Sequence, residues 1–287
     1  QVRLWDPVDA VRLAAPALIA DSLAELERHG LVGDAAAAAA RLTVCDSPEA
    51  ALADADFVQE SGPELVEVKQ QTFARLDRAA PAGTVIASST SAIVPSRFTE
   101  ALPGRSRCLV GHPVNPPHLV PVVEVCGAPW TDAAARARAH EVYESVGQVP
   151  VAVLREVDGF ILNRLQGALL AEAFRLVGDG CCTPQDLDKT VSEGLGRRWS
   201  FIGPFATIEL NAPGGMPDYC ERYTGFYRRQ QTAPAPAAVW DKDNWSKVVQ
   251  AWGKTPDADD IARKSQWRDT RLAALAAHFN TQTDGKN

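Results

Sequence analysis

Short apolar runs alternate with longer amphipathic stretches over the first half of the chain. The runs are rich in Val, Leu and Ile and are bounded by Gly, Pro, Asp or Ser, which is typical of β-strands. We predict strands at Val2–Trp5, Leu42–Cys45, Phe57–Gln59, Thr84–Ser88, Cys108–Gly111, Val122–Cys126 and Val149–Leu154. We predict helices between them at Pro7–Gly30, Ala35–Ala40, Pro63–Ala79 and Thr131–Gly147, the last capped by Thr131 and Asp132. This alternation indicates βαβ units and a mostly parallel sheet.

The strand pattern stops after about residue 154. Apolar residues then recur at helical spacing, which predicts long helices at Asp158–Gly178 and Asp257–Phe279. The sequence therefore predicts an α/β domain of the Rossmann type over residues 1–155 and an all-helical domain over residues 156–287.

Connecting segments of the second half have their own signals. Thr183 followed by Pro184 predicts the start of a helix, because threonine caps a helix and proline fits its first turn. We interpret Gly194–Gly196 as a glycine-bounded turn and the Ala- and Pro-rich segment Gln231–Ala238 as a loop.

Composition and charge exclude several classes of protein. The 287 residues are 46% hydrophobic, which is ordinary for a globular chain, and no run of about 18 apolar residues predicts a membrane span. No secretory signal is recognisable at the start of the chain. The net charge of −7 argues against a nucleic-acid partner. The six cysteines form no Cys-x-x-Cys pair, so we expect no metal site and reduced thiols in a cytoplasmic protein.

Four polar residues stand out among the apolar segments: Ser91, His112, Glu124 and Asn163. The first three fall at or near strand ends, where an open parallel sheet presents its ligand crevice. A histidine, a carboxylate to hold it, a hydroxyl and an amide are the groups needed to remove a proton from an alcohol. The arrangement predicts an enzyme active site.

Each of these residues also has a structural interpretation. His112 could support the proline-rich turn that follows it, Ser91 could cap a short helix, and Asn163 could lie on the exposed side of a helix. Glu124 favours the catalytic interpretation, because a carboxylate among valines is costly unless it is paired.

Asp6 comes directly after the first predicted strand. In a dinucleotide-binding fold an acid at this place bonds the adenine ribose and favours NAD over NADP, although a strand-ending aspartate can equally be a turn or cap residue. The fingerprint G-x-G-x-x-G is absent from the sequence. It would belong to a first strand and glycine loop, and we expect the given chain to lack them and to be short by about 25–30 residues.

Several motifs follow one another in a characteristic order. They are Phe57–Glu64, Lys69, Ser88–Ser91, Gly111–Pro117, Glu156–Gln166, Ser192–Gly196 with Arg198, and Phe201–Pro204. On these motifs the chain resembles the 3-hydroxyacyl-CoA dehydrogenase superfamily nearly end to end, most of all its L-gulonate 3-dehydrogenase and lambda-crystallin branch.

The resemblance implies a role for each matching position. His112 would be the catalytic base and Glu124 its orienting partner, while Ser91 and Asn163 would contact the reacting oxygen. The residues implied to line the NAD groove are Asp6, Glu64, Lys69 and Ser89.

The resemblance further implies an NAD-dependent dehydrogenase that dimerises through its helical domain. Residues 112–117, His-Pro-Val-Asn-Pro-Pro, depart from the aromatic-rich version typical of acyl-CoA enzymes, which favours a small polar hydroxy acid. We therefore expect L-gulonate to be oxidised to 3-dehydro-L-gulonate, with Arg198 binding the substrate carboxylate or lying as a solvated surface arginine. The alternatives are a 3-hydroxyacyl-CoA dehydrogenase acting on 3-hydroxybutyryl-CoA, a non-catalytic, crystallin-like structural protein, and an enzyme that oxidises another hydroxy acid such as carnitine.

Overall fold

The computed structural model describes residues 1–230, 235–253 and 256–281. Its internal contacts divide the chain into two units. The sheet unit comprises Gln1–Arg164 together with the last helix, and the helical unit comprises Leu165–Asp257. The first four residues of the predicted loop Gln231–Ala238 lie outside the described residues, and its end enters a short 3₁₀ helix, Ala237–Trp240.

Seven strands form in the sheet unit, each at a predicted site. They are β1 Val2–Leu4, β2 Leu42–Val44, β3 Phe57–Glu60, β4 Val85–Ser88, β5 Cys108–Pro113, β6 Val122–Gly127 and β7 Val149–Val153. All seven strand predictions are confirmed. Short runs of β-branched and aliphatic residues between turn-forming residues form strands because they suit both the burial and the backbone conformation of a strand.

The strands form two sheets. β1 pairs with β2 in parallel, and the larger sheet has the order β3-β4-β5-β6-β7. All of its pairings are parallel except β5 with β6, which is antiparallel. Residues 114–121, which join β5 to β6, contain no helix, and a parallel pairing needs a longer crossover. The predicted mostly parallel sheet is confirmed.

Alternate residues of the central strands enter two separate cores. Ile86, Cys108 and Val110 pack into one core with Phe73, Phe98 and Phe160. Their neighbours Ala87 and Leu109 pack into the other, against helix residues Ala135, Ala139 and Tyr143. Because successive side chains of a strand point to opposite faces, both faces of the sheet are covered. We call them the His112 face and the Tyr143 face, after residues discussed below.

Six α-helices are described in the sheet unit before the helical half. They are α1 Asp9–Arg28, α2 Ala35–Ala39, α3 Pro48–Leu52, α4 Val66–Ala79, α5 Ser96–Thr99 and α6 Ala133–Ser145. Four of them, α1, α2, α4 and α6, lie at predicted positions, whereas α3 was not predicted and α5 is a short helix whose bounds the sequence did not give. The predicted cap of α6 is wrong, because neither side chain caps it. Thr131 Oγ1 instead accepts the Ala128 N–H and donates to the Cys108 carbonyl, which fixes the loop after β6 to β5.

The second half is helical, as predicted, and the structure describes no strand in it. The α-helices described there are α7 Leu162–Gly178, α8 Pro184–Lys189, α9 Gly196–Trp199, α10 Pro204–Glu209, α11 Gly215–Gln230, α12 Lys242–Trp252 and α13 Ala258–Thr281. The predicted cap is confirmed, since Thr183 Oγ1 accepts the Asp186 N–H. None of the helices described is both long and apolar enough to span a membrane.

The predicted turn at Gly194–Gly196 is wrong. Residues Thr190–Leu195 form a π-helical segment that joins α8 to α9 without a break. The Gly196 N–H donates to the Val191 carbonyl five residues earlier, and a Cβ on Gly196 would lie 3.0 Å from that oxygen. Glycine at this position permits the close approach that the wider helix requires.

Candidate active site

His112 and Glu124 face each other across the antiparallel pair of β5 and β6. They are direct register partners, so their side chains lie on the same face of the sheet. Nδ1 of His112 lies 2.9 Å from Oε2 of Glu124, and the residues are 5% and 1% exposed. The ring of Phe160 packs 5.6 Å from the imidazole, centroid to centroid. The pairing that a carboxylate among valines requires is thus confirmed.

The second oxygen of Glu124 binds the start of α7. Oε1 accepts the N–H groups of Ile161 and Leu162 at 2.8 and 2.9 Å. These donors are presented by a turn in which Gly159 and Phe160 have positive φ angles of 74° and 48°. A helix N-terminus favours a negative group at this point.

These bonds define the roles of the two nitrogens of His112. A carboxylate accepts hydrogen bonds at both of its oxygens. Glu124 accepts two N–H groups at Oε1, so we assign Nδ1 of His112 as the donor to Oε2. In that tautomer Nε2 carries the lone pair. No bond to Nε2 is found among the described residues, so this nitrogen can receive a proton from a ligand.

A hydrogen bond from a side chain to the backbone brings Asn163 and Ser91 together. Asn163 Nδ2 donates to the carbonyl of Ser91 at 2.8 Å. Ser91 is exposed and does not cap α5, which begins five residues later at Ser96. The local cap is Thr90, whose Oγ1 accepts the Ile93 N–H at 3.0 Å.

Glu64 anchors the loop that contains Ser91. Its Oε1 accepts the N–H groups of Ser91 and Ala92 at 3.1 and 3.0 Å and also a short bond from the Thr90 hydroxyl. Three bonds to one oxygen fix the backbone direction of the loop after β4. The structure thereby gives Glu64 a positioning function beside the cofactor contact predicted from the sequence.

Lys69 lies below the surface of these loops. It is 0% exposed, and its Nζ donates to both carboxylate oxygens of Glu60, at 3.3 and 3.0 Å. Glu60 also accepts the Ser88 hydroxyl at 2.6 Å and the Gly62 N–H at 2.6 Å. Contact of Lys69 with a cofactor stays a prediction. Glu60 was not identified from the sequence, although an acid at the end of a short strand with a lysine in the next helix was a usable signal.

Asp6 and Ser89 supply groups suited to a nucleotide sugar. Asp6 lies two residues after the end of β1 and accepts the Val8 N–H through Oδ1 at 2.8 Å, which is the turn interaction that the sequence left open. The described residues show no donor to its second oxygen, so a ribose hydroxyl could bind there. Ser89 Oγ donates to Ser61 Oγ at 3.1 Å, in the loops that follow β4 and β3. These groups fit the sugars of NAD, whereas no described segment is a glycine-rich pyrophosphate loop.

Arg198 lies in α9 of the helical unit and is exposed. The pKa of the Tyr219 phenol is raised mainly by its hydrogen bond to Tyr227, and the positive charge of Arg198 acts against that rise. The two phenol oxygens are 2.6 Å apart. A guanidinium beside phenol groups can bind a carboxylate, which is the role predicted for it.

Comparisons with known proteins agree with this geometry. Residues 1–157 match the model of the NAD binding domain of 3-hydroxyacyl-CoA dehydrogenase, and residues 159–247 match its C-terminal domain. The chain is 37% identical to a lambda-crystallin homolog of Rattus norvegicus over 96% of its length and 88% of that protein. It is 40% identical to an L-carnitine dehydrogenase of Streptomyces coelicolor over 94% of its length and 84% of that enzyme.

A solved structure extends the likeness to the whole described fold. It is a 5-formyl-3-hydroxy-2-methylpyridine 4-carboxylic acid 5-dehydrogenase, an NAD⁺-dependent dismutase, with a TM-score of 0.83 and 26% identity over 99% of this chain and 92% of that one. Both family models, the relatives and the paired histidine and glutamate lead to one assignment. The chain belongs to the 3-hydroxyacyl-CoA dehydrogenase family, whose members are NAD-dependent dehydrogenases acting on secondary alcohols.

Proposed function

We propose that this protein oxidises the 3-hydroxyl group of a small hydroxy acid with NAD, and that L-gulonate, giving 3-dehydro-L-gulonate, is the first substrate to test. The observation behind the proposal is the buried pair of His112 and Glu124, which leaves Nε2 of the imidazole available to a ligand. A neutral imidazole held by a carboxylate is suited to act as a general base.

The chain's own groups account for the movement of the proton. Nε2 of His112 accepts it from the substrate hydroxyl, and Glu124 stabilises the resulting imidazolium through Nδ1. Ser91 and Asn163 donate to the oxygen as negative charge develops on it, and Asn163 Nδ2 has a second hydrogen for this purpose. When bound, NAD supplies the acceptor for the hydride. The proposed cofactor residues are Asp6, Glu64, Lys69 and Ser89.

The sequence after His112 supports a small substrate. His112 is followed by Pro113 and Val114, not by the aromatic pair typical of the acyl-CoA enzymes of the family. Lambda-crystallin homologs and L-carnitine dehydrogenases are similar to the chain over most of its length. Carnitine is itself a 3-hydroxy acid, so it is the second candidate substrate. Both candidates carry a carboxylate, for which we propose Arg198.

NADH formation at 340 nm tests the function directly. The full chain is assayed with NAD and, in parallel, L-gulonate, L-carnitine, 3-hydroxybutyrate and 3-hydroxybutyryl-CoA. We expect the highest kcat/KM with L-gulonate and a loss of about 10³-fold in kcat for His112→Asn. A preference for 3-hydroxybutyryl-CoA would contradict the small-acid proposal. NAD binding without turnover of any of the four would support a structural, crystallin-like role.

Arg198→Ala tests the carboxylate site. It should raise KM for L-gulonate about tenfold or more and change kcat less, because a uniform binding contact is removed. The neighbouring variant Arg197→Ala is the control, since Arg197 pairs with Glu193 on the surface. An unchanged KM for Arg198→Ala would remove this residue from the site.

We also propose that the protein is a homodimer assembled through its helical unit and works in the cytoplasm. Large apolar side chains of that unit, such as Phe205 and Leu210, are exposed by 72% and 74% in the single chain. Apolar surface of this kind marks interaction sites. All six cysteines are unpaired, which suits a reducing compartment. Sedimentation velocity should give twice the chain mass, and a monomer would contradict the dimer.

A further inference from the structure

The strand that bears His112 is supported from the opposite face of the sheet. Gly111 precedes His112, and because side chains alternate along β5, position 111 points to the Tyr143 face, as Leu109 does. A Cβ on Gly111 would lie 1.8 Å from the Tyr143 hydroxyl oxygen. The glycine is therefore the reason that a tyrosine can approach the strand at this point.

Tyr143 is held firmly in this place. It follows Ala135 and Ala139 along α6, so the small residues bring the helix close to the sheet and the tyrosine fills the space beyond them. It is 8% exposed, and its ring packs edge-on against Phe57 at 5.4 Å. Burial raises the pKa of Tyr143, which keeps the phenol protonated. It donates to Gln59 Oε1 at 2.6 Å.

Gln59, which accepts from Tyr143, also forms a hydrogen bond with β5. Its Nε2 donates to the carbonyl of Gly111 at 3.1 Å. The pairing of β4 with β5 ends at Ser88 and Val110, so the next carbonyl of β5 lies past the last β4 pair. The side chain of Gln59 reaches the Gly111 carbonyl from β3, two strands away. It supplies the hydrogen bond that a longer β4 would otherwise donate. A buried carbonyl without a partner would be costly.

We propose that Tyr143 and Gln59 are positioning residues for catalysis, which set the orientation of His112 through the peptide that precedes it. The inference rests on the proposed role of His112 as the base. Glu124 fixes the imidazole at Nδ1, and the Gln59 bond fixes the Gly111 carbonyl on the main chain. These two anchors, one on each face of the sheet, together determine where Nε2 points. Small displacements of a reacting group reduce rates strongly.

The experiment separates the two bonds of Gln59. Tyr143→Phe removes the hydroxyl, Gln59→Leu removes both bonds, and Gln59→Glu keeps an acceptor for Tyr143 but loses the donor to Gly111. All three should lower kcat for L-gulonate about 10- to 100-fold and leave KM for NAD within about twofold of the parent. Because the residues act in series, Tyr143→Phe combined with Gln59→Leu should be no worse than Gln59→Leu alone. The control is Tyr223→Phe, on an exposed tyrosine of the helical unit.

A second readout does not depend on turnover. The protein has five histidines, and selective ¹⁵N-histidine labelling with His112→Asn for assignment identifies the His112 ring signals. The three variants should shift these signals and leave those of the other histidines in place, whereas general destabilisation would not select one ring. Unchanged His112 signals with unchanged kcat would overturn the positioning role. Full activity of His112→Asn would instead overturn the proposed function, while the ring signals of the variants would still decide whether Gln59 positions residue 112.

Discussion

The candidate residues of the sheet unit and the helical unit are held in very different ways. His112, Glu124 and Lys69 are at most 5% exposed, and each has a charged or hydrogen-bonded partner on a neighbouring element. Arg198 of the helical unit is exposed, and the one interaction of its side chain among the described residues is with the Tyr219 phenol. The hydrogen bond to Tyr227 raises the pKa of that phenol, and the charge of Arg198 acts against this larger rise. The difference shows that the sheet unit holds its candidate groups in fixed contacts, whereas the candidate residue of the helical unit lies on an exposed surface.

Glu124→Gln should have the largest effect, a loss of kcat that no matched substitution in the helical unit produces. The amide can still accept the Ile161 and Leu162 N–H groups through its oxygen, but it then presents NH₂ to Nδ1 of His112. Nδ1 must accept, so Nε2 carries the proton and cannot act as a base. We expect kcat to fall roughly 10³- to 10⁴-fold with little change in unfolding temperature. Glu209→Gln is the matched control, because Glu209 accepts the Met216 N–H in the helical unit. Activity near the parent value would exclude His112 as the base.

Lys69→Met measures the dependence of stability on a buried pair. Removing the cation leaves the Glu60 carboxylate buried without its charged partner, and the free energy of unfolding in urea should fall by about 3–5 kcal/mol. In the helical unit, Lys189→Met breaks an ion pair with Asp186 in which both side chains are well exposed, and no resolvable change is expected. Equal effects of the two substitutions would show that burial does not distinguish the units in this way.

Glu64→Ala separates loop anchoring from cofactor binding. Loss of three bonds to residues 90–92 should release the Ser91 loop and lower kcat/KM for L-gulonate about 10- to 100-fold. Glu193→Ala, at the surface of the helical unit, is the control. If only KM for NAD changes, Glu64 lines the cofactor groove and is not needed to position Ser91.

Alkaline pH should weaken the sheet unit. Burial raises the pKa of Cys108 and of Cys126 from 9.0 to about 12. Above pH 9 these thiols ionise in the unfolded chain and not in the folded one, so the unfolded state loses protons and stability falls as pH rises towards 12. The expected slope is up to about 1 kcal/mol per pH unit for Cys108, measured by urea unfolding between pH 8 and 10.5. Cys108→Ala should reduce the slope, and an identical slope would contradict this origin.

The sequence predicts the strands and the longer helices well because these elements have local causes. The seven strands are short apolar runs between turn residues, and Thr183 with Pro184 begins α8 as capping chemistry requires. The turn predicted at Gly194–Gly196 failed because glycine permits both a turn and a close helical contact. Only the i+5 bond from Gly196 to Val191 distinguishes the two.

The site was predictable to a similar extent. A carboxylate among valines needs a partner, and a separation of twelve positions between His112 and Glu124 allows an antiparallel pair, so their contact followed from the sequence. The bond from Tyr143 through Gln59 to Gly111 depends on the register of three strands and the distance of α6 from the sheet, none of which is a local property. Burial of Lys69 was equally hidden, because lysine is rarely enclosed.

Glu124 also has a consequence for engineering the chain. One of its oxygens holds His112 and the other holds the first peptide groups of α7, and the boundary between the two units falls after Arg164, within the first turn of that helix. A chimera that exchanges the helical unit for that of a relative should therefore keep the parental sequence through residue 164. A crossover placed before residue 159 would also exchange the Gly159–Phe160 turn, whose positive φ angles present those backbone N–H groups to Glu124.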